Sequence, residues 1–266
     1  MTGWADLQEE LDHWQSAGRV ATLWWRDDDL VAPTPALDRL LHLRDHVDIP
    51  LALAVIPEKA NPTLPEEKLE GCVIIQHGFA HENTAPASEK KCEFPASLPL
   101  DQRLGALAEG RDTLAKLFED RFLPALVPPW NRIAEDMIPH LASLGFIALS
   151  RYKARKAELL APRLIALNTH VDPVNWRRDR SALPEETVLK MLITHLAARR
   201  MAAMDAAEPT GILSHHLMHD EAIWELLSKL LTFLTGHPAV RWISLHTAIS
   251  LSGEIPEEAF LFHPPA

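Results

Sequence analysis

The chain has 266 residues, 47% of them hydrophobic and 24% charged. That length suits one large α/β domain, and the apolar share can fill its core. A formal net charge of −11 sets nucleic acid and anionic membrane surfaces aside as partners.

In chain order, residues from about Asp6 to Gln15 have the periodicity of an amphipathic helix, closed by Gly18. This N-terminus is acidic and lacks the basic start and apolar core of a signal peptide. No apolar run approaches the roughly 20 residues of a membrane span, so a soluble, cytoplasmic protein is expected. A first strand, Val20–Trp25, ends in Asp27-Asp28-Asp29. Pro33 and Pro35 start a helix that runs to about His46 with Leu37, Leu40, Leu41 and Leu43 on its apolar side. Leu51–Ile56 is a second strand, stopped by Pro57. Cys72–Ile75 is a third, short and rich in β-branched residues, as a strand buried on both faces would be. It runs into Gln76-His77-Gly78-Phe79-Ala80-His81. The polar stretch from Thr84 to Pro99 reads as a solvated loop, with a lid that brings Lys90, Lys91 and Glu93 over a neighbouring site as the alternative, and Cys72 and Cys92 form no disulfide framework or zinc knuckle.

A helix is expected from Leu100 to about Glu119, then a strand, Ala125–Val127, followed by Pro128-Pro129-Trp130-Asn131. A helix from Glu135 to Leu144 is closed by Gly145. Phe146–Ser150 and Leu164–Leu167 are the next strands, the latter entering Asn168-Thr169-His170-Val171-Asp172-Pro173. A helix from Glu185 to about Met204 precedes a seventh strand, Gly211–His216. Another helix, Asp220 to Leu234, and a strand, Val240–Leu245, complete the set. No repeat or linker divides residues 1–266, which read as a single domain. Strand–helix alternation implies a mostly parallel sheet, and seven or eight such units suggest closure into a barrel. The polar motifs sit at the carboxyl ends of strands, where a barrel builds its active site.

His77 and His81 stand four residues apart with Gly78 between them, so a chain that coils after the strand brings two imidazoles together. Such a pair can hold Zn²⁺ through neutral nitrogens at about 2.0–2.1 Å. The spacing is common in chains that hold no ion. The aspartate triplet at the end of another strand gives it weight, because three adjacent carboxylates repel unless a cation or arginine offsets them.

Together these motifs resemble the polysaccharide deacetylases, the NodB-homology enzymes of carbohydrate esterase family four. The resemblance covers the chain from about Thr22 to Leu245: paired aspartates after a strand, HxxxH after a later one, a Pro-Pro-aromatic turn, an aspartate before a tryptophan and a late Leu-x-His. It implies a distorted (β/α) barrel of about seven parallel strands. It also implies a metal-dependent hydrolase of a non-peptide C–N bond, acting on an N-acetylated sugar or related carbohydrate. By this resemblance Asp28 is the general base and Asp29, His77 and His81 are the metal ligands, although both aspartate roles could slide back one residue, to Asp27 and Asp28. The ion would be Zn²⁺, with Co²⁺, Ni²⁺ or Fe²⁺ as alternatives.

The family's third motif begins with an arginine that steadies the base, but here Val127 stands in its place. Arg26 or Arg132 would have to supply the guanidinium, and strand parity favours Arg26, two residues from Asp28. Asp172 corresponds to the acidic residue that orients the catalytic histidine. Leu213-Ser214-His215 matches the last motif, so His215 is the expected acid, with His216 and His219 as alternatives. Substrate contacts fall to Trp25, Pro129, Trp130, Asn131, Trp176 and Leu213. Two other functions fit the same fold: hydrolysis of a small intracellular non-sugar amide, with or without metal, and binding by a degenerate site. In either enzymatic reading the partner is a small molecule or carbohydrate, and the sequence assigns no oligomeric state.

Overall fold

Alternation along the first strand determines how the rest of the chain is used. In the computed structural model, which describes residues 2–67 and 69–260, strand β1 runs from Ala21 to Leu30. Successive side chains leave a strand on opposite faces. Leu23 and Trp25 join the large apolar cluster under the helices, while Trp24 joins a second cluster lined mainly by strands. Small residues such as Ala52, Ala54 and Ala125 share that second cluster, which lets the strands curl closely around it. Arg26 and Asp28 follow Trp24 on the same face.

The elements are α1 (Trp4–Ser16), β1, α2 (Pro35–Val47), β2 (Leu51–Val55), β3 (Cys72–His77), α3 (Leu100–Phe118) and β4 (Phe122–Val127). The second half adds α4 (Ile138–Leu141), β5 (Ala148–Leu149), β6 (Leu159–Ala161), β7 (Leu164–Ala166), α5 (Glu185–Arg200), β8 (Thr210–Ser214), α6 (Glu221–Thr235), β9 (Val240–Trp242) and α7 (Leu245–Ser250). Local chemistry sets several boundaries. Thr34 Oγ1 accepts from Leu37 N and Pro35 opens α2, and Asp220 Oδ1 accepts from Ile223 N to open α6.

The sheet order is β6-β7-β5-β4-β3-β2-β1-β8, with β9 also paired to β1, and every pair is parallel except β6–β7. Isolated bridges close the remaining gap: Thr169 pairs with Tyr152 and Val171 with Ile212. Leu213 N donates to Val171 O at 2.8 Å across that seam. The result is the distorted, mostly parallel barrel expected.

Four expectations change. The first strand does not stop at Trp25 but continues through the aspartates. A hairpin strand, β6, precedes β7, where the sequence offers only Leu159-Leu160-Ala161 and a proline turn. The helix expected over Glu135–Leu144 is a 3₁₀ turn, Glu135–Met137, followed by the single turn of α4; Pro139 removes a donor there. The last strand ends at Trp242, since Ser244 caps α7 by accepting from Thr247 N. No helix among the described residues is long and apolar enough to cross a membrane.

Candidate metal centre and active site

Two adjacent carboxylates reach one cleft because β1 is irregular where they sit. Its pairing with β2 shifts register between Asp27 and Leu30, and Asp29 takes a left-handed φ of 72°. A bulge of this kind redirects a side chain that strict alternation would send away. Asp28 and Asp29 both line a cleft of about 490 Å³. Asp27 points to the helix side. There it accepts from Ser214 Oγ at 2.6 Å and His216 N at 3.0 Å, and it pairs with His216 Nδ1. Asp28 and Asp29 thus line the cleft, and Asp27 does not.

His77 ends β3 on the inner face, and the chain turns at once through Gly78 and places His81 opposite. Gly78 has φ 59°, and a Cβ there would run into Glu93 Oε2 and stand 2.6 Å from Pro129. Glu93 holds this turn: its carboxylate accepts from the backbone N–H of Phe79, Ala80 and His81 at 3.1, 2.6 and 2.9 Å. The stretch from Thr84 to Pro99 is thus not a solvated loop throughout, since Cys92 to Pro95 are buried against the site.

His77 Nε2 lies 3.0 Å from Asp29 Oδ1, and His81 Nε2 lies 3.3 Å from the same oxygen. His77 Nδ1 stands 3.0 Å from Val127 O, a carbonyl that can only accept. That contact fixes the proton on Nδ1, so a neutral His77 turns the Nε2 lone pair toward Asp29. A lone pair facing a carboxylate needs a cation between them. Burial works against charge on His77, yet Asp29 draws its pKa up; burial likewise opposes charge on Asp29, yet His77 and His81 bring it down. Proton and divalent ion compete for one place, and the residues present fit an ion with two nitrogens and one carboxylate.

Beside this triad, Arg26 holds Asp28 through two hydrogen bonds, Nε to Oδ1 at 2.8 Å and Nη2 to Oδ2 at 2.9 Å. Arg26 is fully buried and also donates to Ser150 Oγ and Asn131 Oδ1. Arg132 is turned elsewhere, donating to Lys91 O. His215 follows β8, with Nε2 3.9 Å from Asp28 Oδ2 and its ring edge-on to Trp176. Asp172 accepts from Trp176 Nε1 at 2.7 Å and Val174 N at 2.9 Å. Asp172 and His215 make no direct hydrogen bond; among the described residues, His215 Nδ1 has no partner. The Trp176 indole that donates to Asp172 lies edge-on to the His215 ring. His219 Nε2 accepts from His215 N, and His216 serves Asp27, so neither alternative histidine faces the cleft.

Trp130, Asn131 and Trp176 line the cleft. Trp130 and Asn131 both have left-handed backbones, φ 54° and 57°, after the rigid Pro128-Pro129 pair. Trp25 does not line it: parity sends it to the helix side, where Nε1 donates to Ser214 Oγ. Pro129 and Leu213 are buried and support the walls without lining the cleft. Tyr152, Arg180, Leu183 and Met191 also line it and were not singled out from sequence. Tyr152 carried one signal, being the sole tyrosine of the chain.

A second cluster, His170, His195 and Glu208, brings its donor atoms equally close but has the opposite tautomer. Gly211 N donates to His170 Nδ1 at 2.9 Å, so the proton of a neutral His170 sits on Nε2, 3.3 Å from Glu208 Oε1. Burial pushes His170 down to about 4, which keeps it neutral, and Glu208, despite burial, is brought to about 2 by the histidines. Glu208 also accepts from Arg155 N. With its Nε2 proton toward the carboxylate, a neutral His170 offers no free lone pair to an ion, and the cluster reads as a buried polar anchor.

No protein-family model matches the chain, and no curated protein does. Solved structures do. A peptidoglycan deacetylase, PdaC from Bacillus subtilis, matches over 88% of this chain and 92% of its own, with 14% identity and a TM-score of 0.54. A family 4 carbohydrate esterase from Streptomyces lividans in complex with acetate matches over 83% and 90%, with 12% identity and a TM-score of 0.53. A family 4 acetyl xylan esterase from Clostridium thermocellum, in complex with a cobalt ion, matches over 88% and 93%, with 14% identity and a TM-score of 0.50. Strand order, the seam that closes the barrel and the coverage of both chains agree: this protein has the fold of the polysaccharide deacetylases and family 4 carbohydrate esterases.

Proposed function

We propose that this chain is a divalent-metal-dependent hydrolase that removes the acyl group from an N-acylated amine, most simply an N-acetylated amino sugar. The observation that carries the reading is the His77 tautomer fixed by Val127 O, which turns a lone pair toward Asp29 and His81 beside an arginine-held Asp28. The deacetylase and esterase activities named for the structural neighbours support it.

Asp29, His77 and His81 would hold Zn²⁺, or Co²⁺, Ni²⁺ or Fe²⁺, and such an ion lowers the pKa of its water from 15.7 to about 7 and polarises the acyl carbonyl. Asp28 takes the proton from the attacking water as the C–O bond forms, and Arg26 keeps that carboxylate aimed. The backbone N–H of Trp130 would serve the developing oxyanion, since Asn131 N donates to Pro128 O and Pro129 has no N–H. His215, protonated, gives its proton to the amine nitrogen as the C–N bond breaks, a step typically worth about 10²–10⁴-fold. Carboxylic acid and free amine result. Trp130 and Trp176 offer flat apolar faces to a sugar ring on either side.

Acetate release from N-acetylated sugars by protein of measured metal content tests this. One ion per chain with acetate released is the expected result. Ammonia from a small amide, released equally by metal-stripped protein, would favour the non-sugar reading instead.

A further inference from the structure

We infer that the substrate is anionic: an N-acylated amine, sugar-sized, that carries a phosphate or carboxylate near the cleft mouth. The inference rests on the function proposed above and names the substrate class of the same site. Three acids and three further cations line the cleft. Each acid is already engaged. Asp28 is paired with Arg26, Asp29 faces the two histidines, and Asp172 accepts from Trp176 and Val174.

The cations, Lys91, Arg132 and Arg180, have no carboxylate within ion-pair distance among the described residues. The Arg132 guanidinium donates to Lys91 O, which ties the two together. Lys91 Nζ sits 5.8 Å above the Trp130 ring. Arg180 lines the same cleft as Trp176, with a left-handed φ of 63° that its backbone bond to Asn175 O maintains. The neighbouring carboxylate that could have neutralised it, Asp179, is taken by Ser181 N and Oγ. In a chain of net charge −11, three cations without a carboxylate partner at one cleft give an anion a local partner. Guanidinium and ammonium groups on the lining suit a phosphate or carboxylate better than the neutral hydroxyls of an unmodified sugar.

The test is calorimetric binding to metal-loaded protein of N-acetylglucosamine, its 6-phosphate and N-acetylmuramic acid, at low salt and at about 0.5 M salt. At least one anionic sugar is expected to bind about tenfold or more tightly than the neutral one, as a charge-assisted contact gives. Whichever does so tells phosphate from carboxylate. The advantage should shrink at high salt and disappear in Lys91→Gln/Arg180→Gln. Equal binding of all three sugars overturns the inference, and so does an advantage that survives the double substitution, which would place the anion on the ion. Binding is read without turnover. Anion preference with no acetate released would therefore sink the deacetylase reading alone, and acetate release with no preference would sink this one alone.

Discussion

Arg26 and Asp28 leave β1 two residues apart on the same face and meet through two hydrogen bonds at 2.8 and 2.9 Å. The pair is intrastrand, so no loop movement can separate it, and both partners are buried. Removing one side of a buried ion pair usually costs about 3–5 kcal/mol because the other charge is left unmatched. Arg26→Met should therefore lower stability by that order and lower kcat. Metal content should hold. Arg132→Met should leave kcat where it is and change substrate affinity only. Denaturation curves and steady-state kinetics check both variants, and the opposite assignment of effects would mean that Arg132, not Arg26, steadies the base.

Metal binding should be single and should depend on the triad. His77→Ala and His81→Ala are each expected to lose the ion and the activity while keeping a cooperative unfolding transition. Wild type should gain thermal stability on titration with Zn²⁺, as a ligand of the native state must produce. Glu208→Gln should still bind one ion per chain. Elemental analysis reads the stoichiometry, and a second ion lost with Glu208 would contradict the tautomer argument.

Glu93 touches no expected ligand side chain, yet it fixes the backbone that presents His81. Outer partners of metal ligands commonly contribute about 10–100-fold in affinity. Glu93→Ala should weaken the ion by that factor in a competitive chelator titration, with global stability changed far less than by Arg26→Met. An unchanged affinity would show that the turn keeps its shape without its clasp.

The His170–Glu208 anchor gives a pH dependence away from the metal centre. His170 sits at about 4 in the folded chain, below the roughly 6.5 of an unfolded histidine. The unfolded state binds more protons across that window, so stability falls as pH drops from about 6.5 toward 4, by as much as about 3 kcal/mol. Glu208, at about 2 when folded, extends the loss from about 4.3 downward. Urea unfolding at a series of pH values measures this. His170→Asn keeps an acceptor for Gly211 N–H but cannot titrate, so its profile should be flatter between pH 6.5 and 4.

Strand–helix alternation and the turn residues made most of the barrel legible before any coordinates. Period two along β1 was enough to pair Arg26 with Asp28. The same parity, applied consistently, would have removed Trp25 and Asp27 from the cleft, but it would have removed Asp29 with them. What was not legible was non-local. Glu93 lies in a polar loop whose composition looks solvated, and only the folded chain shows three N–H groups meeting its carboxylate. The bulge at Asp29 is a distortion that no periodicity encodes. Trp176 stands between Asp172 and His215, an arrangement that the order of the motifs does not reveal.

The two walls of the cleft differ in how firmly they are tied. Asp28, Asp29 and His77 stand on β1 and β3; between them β2 pairs with β3 without a break over five residues, and with β1 on both sides of the bulge. Asp172, Trp176 and Arg180 follow a seam closed by single bridges at Thr169 and Val171. Amides at the seam should exchange with solvent well before those of β2 and β3, since sparse pairing opens locally at little cost. A lineage with this architecture can therefore retune what it accepts by rewriting one short, loosely stitched stretch of chain. The part that performs chemistry stays undisturbed on the stiff side.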